Sequence, residues 1–154
     1  MTAFINRLSS SRALINWLKT VDGTGSGLDA DTVDGLHAES GTYVPTLTNA
    51  TNVAASTAVL SRYGRIGEFV AVTGYCEIDP TSAAGTATEL GMSIPIASNF
   101  PGQMQLAGIG VSYATGQFAS IRSDGTNDRA TFDFLCTNAA NAGWRFVFAY
   151  TVIG

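Results

Sequence analysis

A chain of 154 residues, 45% hydrophobic and 13% charged, has enough apolar surface for one sizeable core and defaults to one main domain. Its net charge of −4 with scattered arginines speaks against non-specific nucleic-acid binding. No stretch gives the roughly 20 continuous apolar residues of a spanning helix, so no membrane partner is expected.

The opening segment, "MTAFINRLSSSRALINWLKTVDG", is the one convincing helix candidate. Phe4, Leu8, Ser11, Ile15 and Leu18 recur at spacings of 4, 3, 4 and 3, a two-heptad seam with one polar position, and Asp22-Gly23 ends it. Residues 1–21 carry Arg7, Arg12 and Lys19 and no acid. A helix this short is marginal alone, which leaves three uses for it: a small coiled coil, a helix lying on its own domain, or a segment that orders against a partner. The basic character, with Leu14 and Trp17 off the seam, favours docking through Phe4, Leu8, Ile15, Trp17 and Leu18. The segment lacks the uninterrupted apolar run of a signal peptide, so synthesis in a reducing cytoplasm is expected.

Next comes "GSGLDADTVDGLHAES", Gly25 to Ser40, entered through a flexible Gly-Ser joint. Residues 22–39 hold Asp22, Asp29, Asp31, Asp34 and Glu39 and no base. A calcium loop would need oxygen ligands at positions one, three, five and twelve and glycine at six. Counting from Asp29, position five is Val33, glycine arrives one residue late at Gly35, and position twelve is Ser40, so the pattern fails. His37 is the only histidine, so a zinc site would need copies from several chains around an axis; a hydrogen-bonded surface residue is the simpler use. No cofactor is called for.

Residues 41–154 alternate as strands with turns between them. In "EFVAVTGYCEI", Val70, Val72, Cys76 and Ile78 share one face and Phe69, Ala71, Thr73 and Tyr75 the other. "ELGMSIPI" aligns Leu90, Met92, Ile94 and Ile96. "QFASIRSDGTNDRATFDFLC" reads as a hairpin about its Ser-Asp-Gly-Thr-Asn-Asp turn. The last strand, "WRFVFAYTVI", is apolar on both faces: Trp144, Phe146, Phe148 and Tyr150 against Val147, Ala149 and Ile153. With "TYVPTL", "STAVLSRYGRIG" and "MQLAGIGVSY" the count is about eight strands, which predicts an all-β, two-sheet sandwich or jelly roll. A second apolar face suggests subunit packing, with Phe146, Phe148 and Tyr150 as candidate contacts. Cys76 and Cys136 fall in apolar runs and read as buried free thiols.

Catalytic patterns are missing. There is no G-x-S-x-G, no phosphate-cradling loop and no dinucleotide fingerprint, and Glu68, Glu77, Asp79 and Glu89 offer no distinguished carboxylate pair. No enzyme is expected. Tyr43, Tyr63, Tyr75, Tyr113 and Trp144 are candidates for a sugar-stacking surface or for core, and the loops "DPTSAAGTAT", "ASNFPGQ", "RSDGTND" and "TNAANAG" suit recognition.

Asp29-Ala30-Asp31-Thr32, Asp34-Gly35 and His37-Ala38 resemble the "DADTLDG-x-HA" module of bacteriophage tail-fibre and related virion fibre proteins, with Val33 in the usual leucine place. "YVPTLTNATNVAAST", "YGRIGEFVAVTG", "IDPTSAAGTAT" and "SIPIASNF" are similar to C-terminal β-sandwich domains on phage fibre and minor tail proteins. The resemblance implies a homotrimer in the virion, with Leu28, Val33 and Leu36 contacting a neighbouring subunit, and recognition of host-surface polysaccharide by the head. With about twenty residues of anchor ahead of the module, a short spike or fibre on capsid or tail is expected. The expected layout is an N-terminal anchor (1–24) docked to capsid or tail proteins, an Asp-rich trimerisation module (25–40) and a β-sandwich head (41–154). A monomeric carbohydrate-binding module and a capsid decoration without host ligand are the alternatives.

Overall fold

The computed structural model describes Thr32, Val33 and residues 36–154, with side chains from Ala38 onward. The predicted helix over 1–21, with Phe4, Leu8, Ile15, Trp17 and Leu18, lies outside the described residues, as does Leu28. The chain divides into two units between Ala38 and Glu39. In the first, β1 (Thr32–Val33) pairs antiparallel with the start of β2 (Leu36–Tyr43), Thr32 opposite His37 and Val33 opposite Leu36. The intervening sequence, Asp34-Gly35, is a dipeptide that two-residue hairpins favour.

The second unit carries the rest of β2 and nine further strands: β3 (Leu47–Thr51), β4 (Val53–Ala58), β5 (Ser61–Ile66), β6 (Phe69–Pro80), β7 (Thr86–Met92), β8 (Leu106–Ser112), β9 (Gln117–Asp124), β10 (Arg129–Cys136) and β11 (Ala142–Thr151). Their hydrogen-bonded order is β2-β5-β6-β11-β8-β9-β10-β7-β3, and β4 shares the β6 edge with β5. The ladders among β3–β11 are antiparallel. The described residues are therefore all-β, as the alternation predicts, but the strands form one curled sheet instead of two separate ones. The curl follows from β3 and β4. They are consecutive in the chain, yet β3 pairs with β7 and β4 with β6. Joining those distant strands rolls the ladder round its apolar side, which has to be covered.

Inward-facing positions follow the period of two. Val70, Val72, Cys76 and Ile78 of β6 are buried, as are Phe132, Phe134 and Cys136 of β10 and Trp144, Phe146, Phe148 and Tyr150 of β11. Aromatic rings meet across the core: Phe134 and Trp144 at 4.6 Å, and Phe132 edge-on to Phe146 at 5.5 Å. The room comes from β8, whose Gly110 sits so close to Phe132 that a Cβ there would stand 2.7 Å from the ring. Both cysteines are free and buried; burial first, then the neighbouring Glu77 charge, pushes the Cys76 thiol up to about 12.

Two strand predictions end differently. "ELGMSIPI" stops at Met92, because Pro95 has no N–H to continue a ladder. Ile94 and Ile96 then pack on the core from a loop. That loop is latched by Tyr150, whose hydroxyl donates to the Ile96 carbonyl (2.8 Å) and accepts from its N–H (3.1 Å). "STAVLSRYGRIG" breaks at Val59-Leu60 into β4 and β5, both on the same edge of β6.

The closure between β3 and β4 is held by Asn52. Its backbone is left-handed, with φ 54°, and its side chain accepts from Ser82 N–H (2.9 Å) while donating to the Ser82 carbonyl (2.9 Å) and Thr88 Oγ1 (2.7 Å). Asn52→Ala should cost roughly 2–4 kcal/mol in urea denaturation, from lost bonds plus a Cβ in the left-handed region. Asn52→Gly, which keeps the backbone geometry, should cost less. Equal losses would show that the conformation contributes nothing.

Candidate functional surface

The outer face of the curled sheet is the feature a polar, wetted surface does not explain. In register, Thr73 of β6 lies beside Val147 of β11, and Val147 beside Ile109 of β8. Val147 and Ile109 are 49% and 47% exposed, and Phe118 of β9 and Leu135 of β10 are each 66% exposed. The adjoining row is small: Ala71, Ala149 and Ala107 stand side by side, with Gly64 of β5 opposite Ala71. Small residues keep this part of the face low, and two open depressions of about 310 and 280 Å³ meet at Thr73 and Val147. Arg62 borders the first and Arg145 the second. Large contiguous apolar patches are uncommon on monomers and mark interaction sites.

Charge is distributed unevenly over the second unit. Arg122 pairs with Glu89 (2.8 Å) and Asp133 (3.1 Å), bridging β9 to β7 and β10. Arg129 pairs with Asp124 (2.9 Å), and Arg65 donates to the Gly67 carbonyl (2.6 Å). Arg145 instead stands over the Tyr113 ring at 5.8 Å. Among the described residues neither Arg62 nor Arg145 has a carboxylate partner.

The predicted interface residues on the last strand need correction. Phe146, Phe148 and Tyr150 are interior, at most 4% exposed, and belong to the chain's own core. Once they are used inside, β11 presents Val147 and Ala149 outward. Val33 and Leu36 are described only as paired backbone positions. Ile109, Phe118 and Leu135 escape a reading that follows the core face alone. Their signal is parity: Phe118 alternates against Ala119 and Ile121, and Leu135 against Phe134 and Cys136.

The aromatic candidates do not form one platform. Trp144 is core; Tyr43 meets Tyr63 edge-on at 6.4 Å; Tyr75 covers Gly143; Tyr113 is exposed beside Arg145. The Tyr43 hydroxyl is buried without a hydrogen-bond partner, and burial, then the nearby Tyr150, raises its pKa. Glu89 is committed to its arginine, and no group of three or more potential metal ligands occurs among the described residues.

The four candidate loops separate two and two between the ends of the sheet. At one end, 81–85 and 137–141 adjoin: Gly85 N–H donates to the Cys136 carbonyl (2.9 Å), and Gln117 Nε2 donates to the Asn138 carbonyl (3.0 Å). At the other end, Phe100 N–H donates to Asp128 (2.8 Å). The chain enters β3 at that second end, where Ser93 N–H donates to the Thr46 carbonyl (2.9 Å).

Asp124 organises the β9–β10 turn there. It accepts from Thr126 N–H (3.0 Å), Asn127 Nδ2 (2.8 Å) and Arg129 Nε (2.9 Å). Burial raises its pKa, but the bonds from Asn127, Thr126 and Arg129 outweigh it and hold the carboxyl below its usual 3.8. Because the folded value is the lower, the contribution is present above 3.8 and lost as pH falls through the folded value. Asp124→Asn should cost about 1 kcal/mol at pH 7 and flatten the acid limb of stability against pH. An unchanged acid limb would show that Asp124 has no part in it.

Compared with known protein families, curated proteins and solved structures, the chain matches none.

Proposed function

We propose that this chain is a structural protein of a bacteriophage virion, a short homotrimeric fibre or spike on capsid or tail. Its first 24 residues, with Phe4, Leu8, Ile15, Trp17 and Leu18, serve as the docking segment, residues 25–40 knit the subunits, and the β-structured head meets bacterial surface polysaccharide. The role is structural, not catalytic.

One observation carries the reading: Val147, Ile109, Phe118 and Leu135 lie on neighbouring strands of one outer face and stay wet in a single chain. Fully burying a side chain of this kind is worth roughly 1.5–3 kcal/mol, so covering four per copy would stabilise a self-assembled particle. The motif "DADTVDGLHA" supports a fibre by its resemblance to the phage module. The separation of loops supports display, since 81–85 and 137–141 cluster together at one end of the sheet. Weak contacts at those loops gain from threefold and many-copy presentation.

Light scattering on the purified full chain tests this. Three copies of a 16.0 kDa chain should give about 48 kDa, and a chain lacking residues 1–24 should still assemble as three copies, at about 40 kDa. A monomer in both forms would replace this reading with a single-domain carbohydrate-binding module.

A further inference from the structure

We infer that the groove running from Arg62 to Arg145 across β5, β6, β11 and β8 receives the acidic module, residues 25–40, of a second copy of this chain. The inference rests on the self-assembling reading above and adds which surface takes which segment.

Charge complementarity points to this occupant. Arg62 and Arg145 border the groove and have no carboxylate partner among the described residues. In sequence, residues 22–39 hold five acids and no base. A segment acidic in sequence thus matches a surface whose two arginines have no carboxylate partner among the described residues. The residue types agree as well: Leu28, Val33 and Leu36 are interspersed in sequence with Asp29, Asp31 and Asp34, and the groove sets Val147 and Ile109 side by side with an arginine at each border. Gly64 and Ala71, side by side on its floor, let a backbone approach closely.

The face also asks for a neighbour rather than the chain's own module. Phe118 and Leu135 lie beyond the groove on β9 and β10, so whatever covers the face has to bring a folded body as well as a segment. A second copy brings both. Because groove and module are different patches, the contact is head-to-tail, the kind that closes into a ring when three copies each give one module and receive one. Exposed ion pairs contribute only about 0–1 kcal/mol each. The apolar contacts therefore supply most of the affinity, and the charges select the partner segment and its register.

Charge reversal on the full-length chain tests the assignment, read by light scattering over a concentration series at low ionic strength. Arg62→Glu with Arg145→Glu should raise the dissociation midpoint about tenfold or more. Asp29→Lys with Asp31→Lys and Asp34→Lys should do the same, and all five changes in one chain should restore assembly. Both arginines are exposed, so circular dichroism melts of the groove variant should match the parent. If the parent assembles but either reversal leaves the midpoint unchanged, or the combined variant stays dissociated, the module is not in the groove and this inference is overturned while the fibre reading stands. A parent chain that is monomeric overturns both.

Discussion

Charging the outer face of the sheet should dissociate the proposed trimer and leave the fold intact. The variant to make is Val147→Glu with Ile109→Lys. The two positions are register partners on β11 and β8, each about half exposed. Within one chain the new charges sit across from each other and attract, so the sheet is not penalised. At a covered interface the same pair has to shed water, while the apolar contact of both side chains is lost. The solution mass should fall from about 48 kDa to 16.0 kDa at micromolar concentration, with a melting temperature within about 3 °C of the parent, the usual range for surface changes of a few tenths of a kcal/mol. Val147→Ser with Ile109→Thr, which adds no charge, should weaken assembly to a smaller degree. A charged variant that keeps the parent mass would remove this face as a subunit contact.

The other large effect is in the core. Phe132 is fully buried, edge-on to Phe146, with Gly110 beneath it. Phe132→Ala should cost roughly 3–5 kcal/mol, the usual result of truncating a buried Phe. Against a total of roughly 5–15 kcal/mol for a domain, that leaves little. Gly110→Val should also destabilise, by roughly 1–3 kcal/mol, because its side chain enters the space of the ring. Gly110→Val with Phe132→Leu should cost less than the two separate losses added together, since the smaller side chain makes room. Urea denaturation of the four proteins measures that coupling. Strict additivity would show that the two positions do not share space.

Much of this architecture is local information. The alternation Val70, Val72, Cys76, Ile78 against Phe69, Ala71, Thr73, Tyr75 names the inner and outer faces of β6 before any partner is known, and burial follows it. The Ser-Asp-Gly-Thr-Asn-Asp turn between β9 and β10 is equally readable, because Asp124 bonds to residues two to five positions away. The resemblance of "DADTVDGLHA" to a fibre module likewise needs only the letters. By contrast, "WRFVFAYTVI" is apolar at both parities, and nothing within the strand says which side is the core. Packing decided it: Phe146 and Phe148 fill space that Gly74 and Gly108 leave open, so Val147 faces out.

Composition and periodicity thus determined that residues 41–154 are all-β, where their strands run and which residues of most strands point inward, because side-chain direction in a strand repeats every two residues. Tertiary structure alone decided that β11 lies between β6 and β8, that β3 and β4 curl a single sheet instead of dividing it in two, and that Val147 and Ile109 share one exposed apolar face. Those outcomes depend on which distant edges pair and which volumes fit together, and neither is carried by a pattern of period two.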